Sequence, residues 1–475
     1  MKKTGMVLLF ILGSLLPCFS FPPFKLWQIA WFGFVVVLFL INKVNPLKSF
    51  FQGLLAGFVF YSFLLNWIYS VAGPFYLFVA LYLAIYWAVF FSIIFSLPEK
   101  NRVIIAGCLW YFLEIINQHL LTGFPWIFIG LSQWSNPAAA RISSITGSAG
   151  LSSIIIAVNF AVYEALRYKK FLSVFFTAVI LFFLSWLSVI LTAYHSPDFN
   201  FKTIAAVQAN CGYFGQNPEQ SFEKYSLITE KIPLMCDLIV WPESSYPAIL
   251  EENKKAMEYL IKKSFHTPVL VGSISKENGN IYNSAYFFNN GNYYKYDKRH
   301  LVPFGEFVPG KRFKIVREIY KKFAGGIPEM KKGQHYQLFQ LDSSKFLVLI
   351  CYENIFPEMT VTSEKEPFDF IIVITNDSWY GNSFGPYQHF AHNIFRSFET
   401  GTPVVQVSTT GITGSVYPNG QVTMMQKEKK HLFVEGTMLV AIPDYDKMKT
   451  IYEMAGETFV AMIFLLLTGV YLCRN

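Results

Sequence analysis

Apolar positions dominate eight stretches of this chain, at roughly 5–21, 26–42, 50–71, 75–97, 102–121, 142–166, 171–194 and 456–473. Each is close to the ~20 residues that cross a bilayer as a helix. In lipid a backbone has to satisfy its own hydrogen bonds, so all eight are predicted to be helical. From about 200 to 450 the pattern changes to short apolar runs separated by charged and turn-forming residues.

Those short runs predict strands at Thr203–Gln208, Leu238–Trp241, Val269–Ser273, Ala285–Asn289, Phe346–Ile350, Phe370–Thr375, Pro403–Ser408, Gly414–Tyr417 and Thr437–Ile442. Helical patterns fall at Pro218–Leu234, Asn253–Phe265 and Tyr387–Thr400. Alternating strands and helices, with hairpin turns at Asn289-Asn290-Gly291 and Pro418-Asn419-Gly420, predict an α/β sandwich with mixed sheets. The expected class is therefore a polytopic helical membrane protein, transmembrane over 1–197 and 448–475, with an α/β domain inserted at 198–447.

One apolar segment resists that scheme. Residues 122–136, opening Thr122-Gly123-Phe124-Pro125-Trp126, are interrupted by Gly and Pro. A re-entrant or interfacial arm fits better than a further span, with Trp126 at headgroup depth as an anchor or as a guide for lipid. Glu114, inside the fifth span, is costly in lipid and must face the bundle, where a structural hydrogen-bonding role is expected.

Charge then sets orientation. Alternate loops carry Lys2 and Lys3, Lys43 and Lys48, Lys100 and Arg102, Arg167, Lys169 and Lys170, and Arg474; the opposite short loops offer Lys25 and Arg141. Positive-inside asymmetry puts the first set in the cytoplasm and, by parity, the α/β domain outside it. The first span resembles a signal peptide, but Pro17-Cys18 is a poor cleavage context, so a retained helix is expected. The net charge of +8 needs no nucleic-acid partner, because many of the basic residues belong to inter-helix loops. The six cysteines show no zinc-type spacing, and no bridge is expected between Cys211 and Cys236.

The chemistry lies in three islands, each just beyond an apolar strand: Trp241-Pro242-Glu243, Tyr296-Asp297-Lys298 through Glu306, and Cys351-Tyr352-Glu353. A carboxylate, an ammonium and a thiol are the parts of a Glu-Lys-Cys acyl-transfer centre. The thiol attacks only as thiolate, so it needs a base, here Glu243. Lys298 would stabilise the tetrahedral oxyanion and lower the thiol pKa. Glu306 would orient that lysine or stabilise its loop, and Tyr352 and Glu353 would line the pocket or fix the turn. A Rossmann site is excluded because no Gly-x-Gly-x-x-Gly follows the first strand, and a serine hydrolase because Gly-x-Ser-x-Gly is missing.

Residues 200–445 resemble the nitrilase (carbon–nitrogen hydrolase) superfamily, an αββα sandwich with a Glu-Lys-Cys triad. The whole chain resembles the apolipoprotein N-acyltransferase family, through Phe21-Pro22-Pro23-Phe24, Gly123–Trp126, Trp241-Pro242-Glu243, Lys298–Glu306, Cys351-Tyr352-Glu353, Asn376–Gly381 and Gly385–His389. The resemblance implies a multi-pass protein of the bacterial inner membrane with its catalytic domain in the periplasm. It implies ping-pong transfer of an sn-1 acyl chain from a phospholipid, with phosphatidylethanolamine as expected donor, through a Cys351 thioester. The acceptor would be the α-amine of a diacylated apolipoprotein. It also marks Glu306, Tyr352 and Glu353 as important, and places Trp379 and Tyr380 in a loop bordering the lipid entrance. No metal or other cofactor is expected, because the donor is already an ester.

Three positions depart from the family pattern: Gln406-Val407-Ser408-Thr409-Thr410-Gly411 replaces an Arg-led Asn-rich motif, a tryptophan is missing near Gln216-Asn217, and an arginine is missing near Met359-Thr360-Val361. They leave the triad intact and bear on acceptor positioning or lipid preference. Within enzymes the alternative is a membrane-anchored nitrilase-type amidase that uses water as acceptor. Outside them it is a transporter or scaffold, which would need several midplane charges or broken helices.

Overall fold

The computed structural model describes residues 3–473 apart from 42, 44, 99–101, 170, 192–200, 213–216, 234, 315–317, 319–328, 362–365 and 444–448. Both expected domain boundaries, at 197/198 and 447/448, lie outside the described residues, as do Lys2, Lys100, Lys170, Gln216 and Arg474.

The sandwich is built from thirteen described strands: β1 (Phe201–Gln208), β2 (Leu238–Val240), β3 (Tyr246–Ile249), β4 (Val269–Glu277), β5 (Asn280–Asn289), β6 (Asn292–Asp297), β7 (Leu338–Leu341), β8 (Ser344–Ile350), β9 (Phe370–Thr375), β10 (Val404–Ser408), β11 (Gly414–Val416), β12 (Val422–Met424) and β13 (Gly436–Pro443). One sheet runs β13-β1-β2-β4-β5-β6 with β3 beside β4, and the other β12-β11-β10-β9-β8-β7. In each, three central strands are parallel (β1, β2, β4; β8, β9, β10); β3 is also parallel to β4, and the remaining pairings are antiparallel. Central parallel strands are covered on both faces, so they read as continuous apolar runs; Phe370–Thr375 is buried at every residue.

Each predicted strand is present. The additional β3, β6, β7 and β12 are short or carry exposed polar residues, so their pattern was too weak to announce them. The Asn289–Asn292 hairpin turns through Asn290 and Gly291 at φ 48° and 77°, the doubly left-handed geometry that an Asn-Gly pair favours. The first predicted helix is shorter than expected, Pro218–Thr229.

Between the sheets lies an apolar core that includes Ile204, Leu238, Leu270 and Phe287 from one side and Phe346, Val348, Ile372 and Val405 from the other. Helices Pro218–Thr229 and Lys254–Ser264 cover the outer face of the first sheet through Phe222, Tyr225 and Leu260. The outer face of the second packs on helix Gly385–Thr400 in a cluster that continues into the apolar helices of residues 3–168. That helix is buried on all sides, including Gln388, His389, His392, Asn393, Arg396 and Glu399. Several of its polar groups are met from the membrane segment: His392 donates to the Trp126 carbonyl at 3.1 Å, and Glu399 accepts from the Ser148 backbone N–H at 2.8 Å.

Among the described residues, four helices are long and apolar enough to cross a membrane: Pro46–Leu64, Asn66–Ser96, Ser143–Tyr168 and Ile451–Val470. Helix Arg102–His119 has the length, but Arg102, Glu114 and its Asn-Gln-His end dilute its hydropathy. The expected first and second spans are not single straight helices: Lys3–Leu15 tightens into a 3-10 turn at Pro17, and Trp27–Trp31 is separated from Val35–Leu40. Glu114 accepts from the Trp110 indole (2.8 Å) and the Ile129 backbone N–H (2.9 Å), tying the 122–136 segment to its neighbour.

The 122–136 segment departs from its expectation as an interfacial anchor. Trp126 is only 1% exposed. Its indole N–H and that of Trp67 both donate to Gln388 Oε1 at 2.9 Å, and Gln388 donates to the Leu64 carbonyl at 2.9 Å. An indole with a buried N–H has to find an acceptor, and here the α/β domain supplies it.

Candidate active site

The strands converge on one edge of the sandwich. Glu243 follows β2, Lys298 follows β6, Cys351 follows β8, and Asn376 and Asp377 follow β9. Carboxyl ends of parallel strands are where an α/β sheet presents unpaired backbone groups and loops to a ligand.

Glu243 is 5% exposed. Its Oε1 accepts from the Asn283 amide at 2.7 Å and from Lys298 Nζ at 3.4 Å, and its Oε2 from the Asn376 backbone N–H at 2.7 Å. The loop lies flat against β4: a Cβ on Gly272 would fall 2.4 Å from the Pro242 carbonyl oxygen and 2.5 Å from Glu243 Cα. Only glycine permits that approach.

Lys298 is 1% exposed and held between two carboxylates, with Glu306 Oε1 at 2.9 Å and Glu243 Oε1 at 3.4 Å. Glu306 Oε1 also accepts from Asn283 at 2.7 Å, and its Oε2 from the Val302 N–H at 2.7 Å. Burial acts to lower the lysine pKa, but Glu306 and then Glu243 outweigh it and hold the ammonium above the ordinary value. Glu306 thus links the Lys298 ammonium to the backbone of its own loop.

Cys351 has φ 53°, the left-handed region, which costs a non-glycine residue about 1–2 kcal/mol. Burial pushes its thiol well above the usual 9.0; Glu243 adds to that rise and Lys298 opposes it. At rest Cys351 is therefore a protonated thiol within electrostatic reach of Glu243 and Lys298. Such a thiol needs its proton removed as it attacks, which a neighbouring carboxylate can do.

The two residues after it are structural supports. Tyr352 donates to the Gly123 carbonyl at 2.9 Å. Glu353 is fully buried and accepts from the Ile350, Arg299 and His300 backbone N–H groups and from the Tyr296 hydroxyl. It fixes the Cys351 turn to the Lys298 loop, while burial raises its pKa. Tyr380 is 9% exposed and packs on Trp67 with centroids 4.5 Å apart; Trp379 is half-buried beside it.

Sequence reasoning missed Asn283, which bridges both carboxylates, and did not give Asp377 or His389 a role. Asn283 sits singly in a strand, a signal that only the fold makes legible. Asp377 and His389 were visible merely as polar residues in a matching motif. Cys351, Asp377 and His389 offer a thiol, a carboxylate oxygen and a ring nitrogen that all lie within 4.8 Å of one another, a grouping able to hold a metal ion. Both imidazole nitrogens already face oxygens, Asp377 Oδ1 and the Cys351 carbonyl, so ligation would first break the turn that holds the thiol.

Known proteins bear on this geometry. Residues 13–161 match the apolipoprotein N-acyltransferase N-terminal domain, and 203–444 match carbon-nitrogen hydrolase. An apolipoprotein N-acyltransferase of Wigglesworthia glossinidia brevipalpis is 31% identical over 88% of this chain and 88% of its own length. One from Shewanella oneidensis is 30% identical over 96% and 92%. A solved carbon–nitrogen hydrolase superfamily protein from Xanthomonas campestris overlaps 51% of this chain and 91% of its own, at 15% identity and a TM-score of 0.39. With both parts matched in order along most of its length, the chain belongs to the apolipoprotein N-acyltransferase family and is an acyltransferase with a carbon–nitrogen hydrolase catalytic domain.

Proposed function

We propose that this enzyme takes the sn-1 acyl chain of a phospholipid, phosphatidylethanolamine being the expected donor, onto Cys351. It then passes the chain to the N-terminal α-amine of an S-diacylglyceryl-cysteine lipoprotein. Glu243 accepts the thiol proton as sulfur attacks the ester carbonyl. Lys298 neutralises the oxyanion of the tetrahedral intermediate. Collapse breaks the C–O bond, the lysophospholipid leaves with the proton from Glu243, and a thioester remains. In the second half the neutral amine attacks the thioester and Glu243 takes its N–H proton. The C–S bond breaks, the thiol is restored with that proton, and the amide departs.

The observation that carries this reading is the buried Glu243–Lys298–Glu306 cluster beside the Cys351 thiol, with the membrane segment packed against the same turn through Tyr352. Both substrates are anchored in a bilayer, so a site joined to apolar helices meets them by lateral diffusion at raised local concentration. The antiparallel pairing of β1 with β13, Phe201 opposite Pro443, brings the two ends of the domain together. That pairing supports a domain inserted between the seventh and eighth of eight spans. The loop charges support its lying on the periplasmic side of the inner membrane.

Purified enzyme with labelled phospholipid and a diacylglyceryl-cysteine peptide tests this. Triacylated peptide that disappears in Cys351→Ala supports transfer; free fatty acid as sole product would assign water as acceptor.

A further inference from the structure

The Asp377–His389 pair has no part in the mechanism above, yet it is fully buried and touches the nucleophile's own backbone. His389 Nδ1 lies 2.8 Å from Asp377 Oδ1, and Nε2 lies 3.3 Å from the Cys351 carbonyl oxygen. Both side chains have 0% exposure. Thr375 donates to the same Asp377 oxygen at 2.8 Å. The imidazole stacks on Trp126, whose ring is 5.3 Å away and inclined 22°.

Donor and acceptor chemistry fixes the hydrogens. A carbonyl only accepts, so Nε2 carries a hydrogen; Nδ1 then shares a second proton with the Asp377 carboxyl. With both nitrogens engaged, the imidazole has no lone pair directed at the thiol. The pair resembles the latter two-thirds of a Cys-His-Asp triad, but its Nε2 is spent on the main chain.

We infer that His389, oriented by Asp377, is a positioning residue for acyl transfer: its Nε2–H holds the Cys351 carbonyl and thereby the left-handed turn that keeps the thiol beside Glu243 and Lys298. Turning that peptide plane would cost the carbonyl its donor, so the bond restrains ψ of Cys351 and with it the turn in which φ is 53°. Trp126 prevents the ring from swinging away, which links the membrane-side arm to the aim of the nucleophile. The inference rests on Cys351 being the nucleophile.

The test compares His389→Gln, His389→Asn and His389→Ala in the full-length enzyme in detergent or nanodiscs. A glutamine amide reaches the Nε2 position and restores a donor to the carbonyl; an asparagine amide reaches only the Nδ1 position. His389→Gln is expected to keep acyl-enzyme formation within about threefold of wild type, while His389→Asn and His389→Ala lose roughly tenfold or more, the scale of one buried hydrogen bond. The loss falls on kcat with KM unchanged, and Cys351 alkylation by iodoacetamide slows in step. Thermal unfolding of Gln and Asn variants identifies any that are misfolded, and alkylation is then compared only between folded pairs. Equal activity of the Gln and Asn variants, or a Gln variant as inactive as Ala, overturns the proposal; the latter outcome would make His389 a proton carrier. Cys351→Ala separates the two readings: if it still transfers acyl chains, the nucleophile assignment fails, whereas a dead Cys351→Ala with unaffected His389→Asn removes only the positioning role.

Discussion

Trp126 of the membrane segment stacks on His389 of the catalytic domain, with ring centroids 5.3 Å apart. The same indole donates to Gln388 one residue earlier and lies parallel to Tyr352 at 6.4 Å. A single side chain thus touches both the Cys351 turn and the helix beneath it. The arm is built into the active-site wall.

Trp126→Ala removes the stack and leaves the Gln388 amide short of one partner. Cost is expected at about 3–5 kcal/mol, the range for deleting a buried aromatic. Trp126→Phe should cost less and retain part of the activity. Thermal unfolding in detergent and the transfer assay read both; an Ala variant of wild-type stability would refute this docking.

Glu306→Gln keeps the shape of the side chain but removes the carboxylate closest to Lys298. The lysine pKa should fall, because that carboxylate is the chief influence raising it. We expect kcat to drop roughly tenfold to a hundredfold, less than outright loss of an oxyanion donor, with KM nearly unchanged. Steady-state kinetics at fixed lipid composition decide it.

The Cys351 thiol should behave as a poor acid. Burial and Glu243 hold it well above 9.0, so alkylation by iodoacetamide should keep rising through pH 9 without a plateau. Lys298→Met removes the one charge that opposes the rise and should slow alkylation at every pH below that. A plateau near pH 7 would mean a preformed thiolate and a different first step.

His300 gives acid sensitivity to the seam between domain and membrane segment. Its Nε2 donates to the Thr122 carbonyl at 3.0 Å and its ring stacks on Phe356. Burial pushes its pKa from 6.5 down to about 4. The folded form is therefore the poorer proton binder, so this contribution is complete above pH 6.5. It is lost as pH falls toward 4, by up to about 3 kcal/mol. His300→Phe should flatten that part of the stability–pH curve; an unchanged slope would place the acid lability elsewhere.

Gly272→Ala is the smallest change expected to misplace Glu243. Its Cβ would meet backbone atoms of Pro242 and Glu243 below any normal contact distance. Relief requires the Glu243 loop to move, at roughly 1–3 kcal/mol of stability. Activity should fall much further than stability, and a crystal or cryo-EM structure of the variant would show Glu243 displaced from Asn283.

Periodicity alone announced the apolar helices, the central strands and the three charged islands, because burial on both faces writes itself as continuous apolar runs and turns write themselves as Asn-Gly. Glu243 and Cys351 stood out for the same reason, each a reactive residue at the end of such a run; Lys298 instead follows β6, whose exposed polar residues write no such pattern. What the sequence could not contain was distance. Asn283 became part of the centre only when β5 brought its amide 2.7 Å from two carboxylates that are 23 and 40 residues away along the chain. Likewise Trp126 reads as an interface aromatic until the fold places it 262 residues distant in sequence from its acceptor, Gln388. Local pattern records which face of an element is buried; which buried groups then satisfy one another is decided by packing, since a desolvated donor takes whatever acceptor the tertiary structure brings within reach.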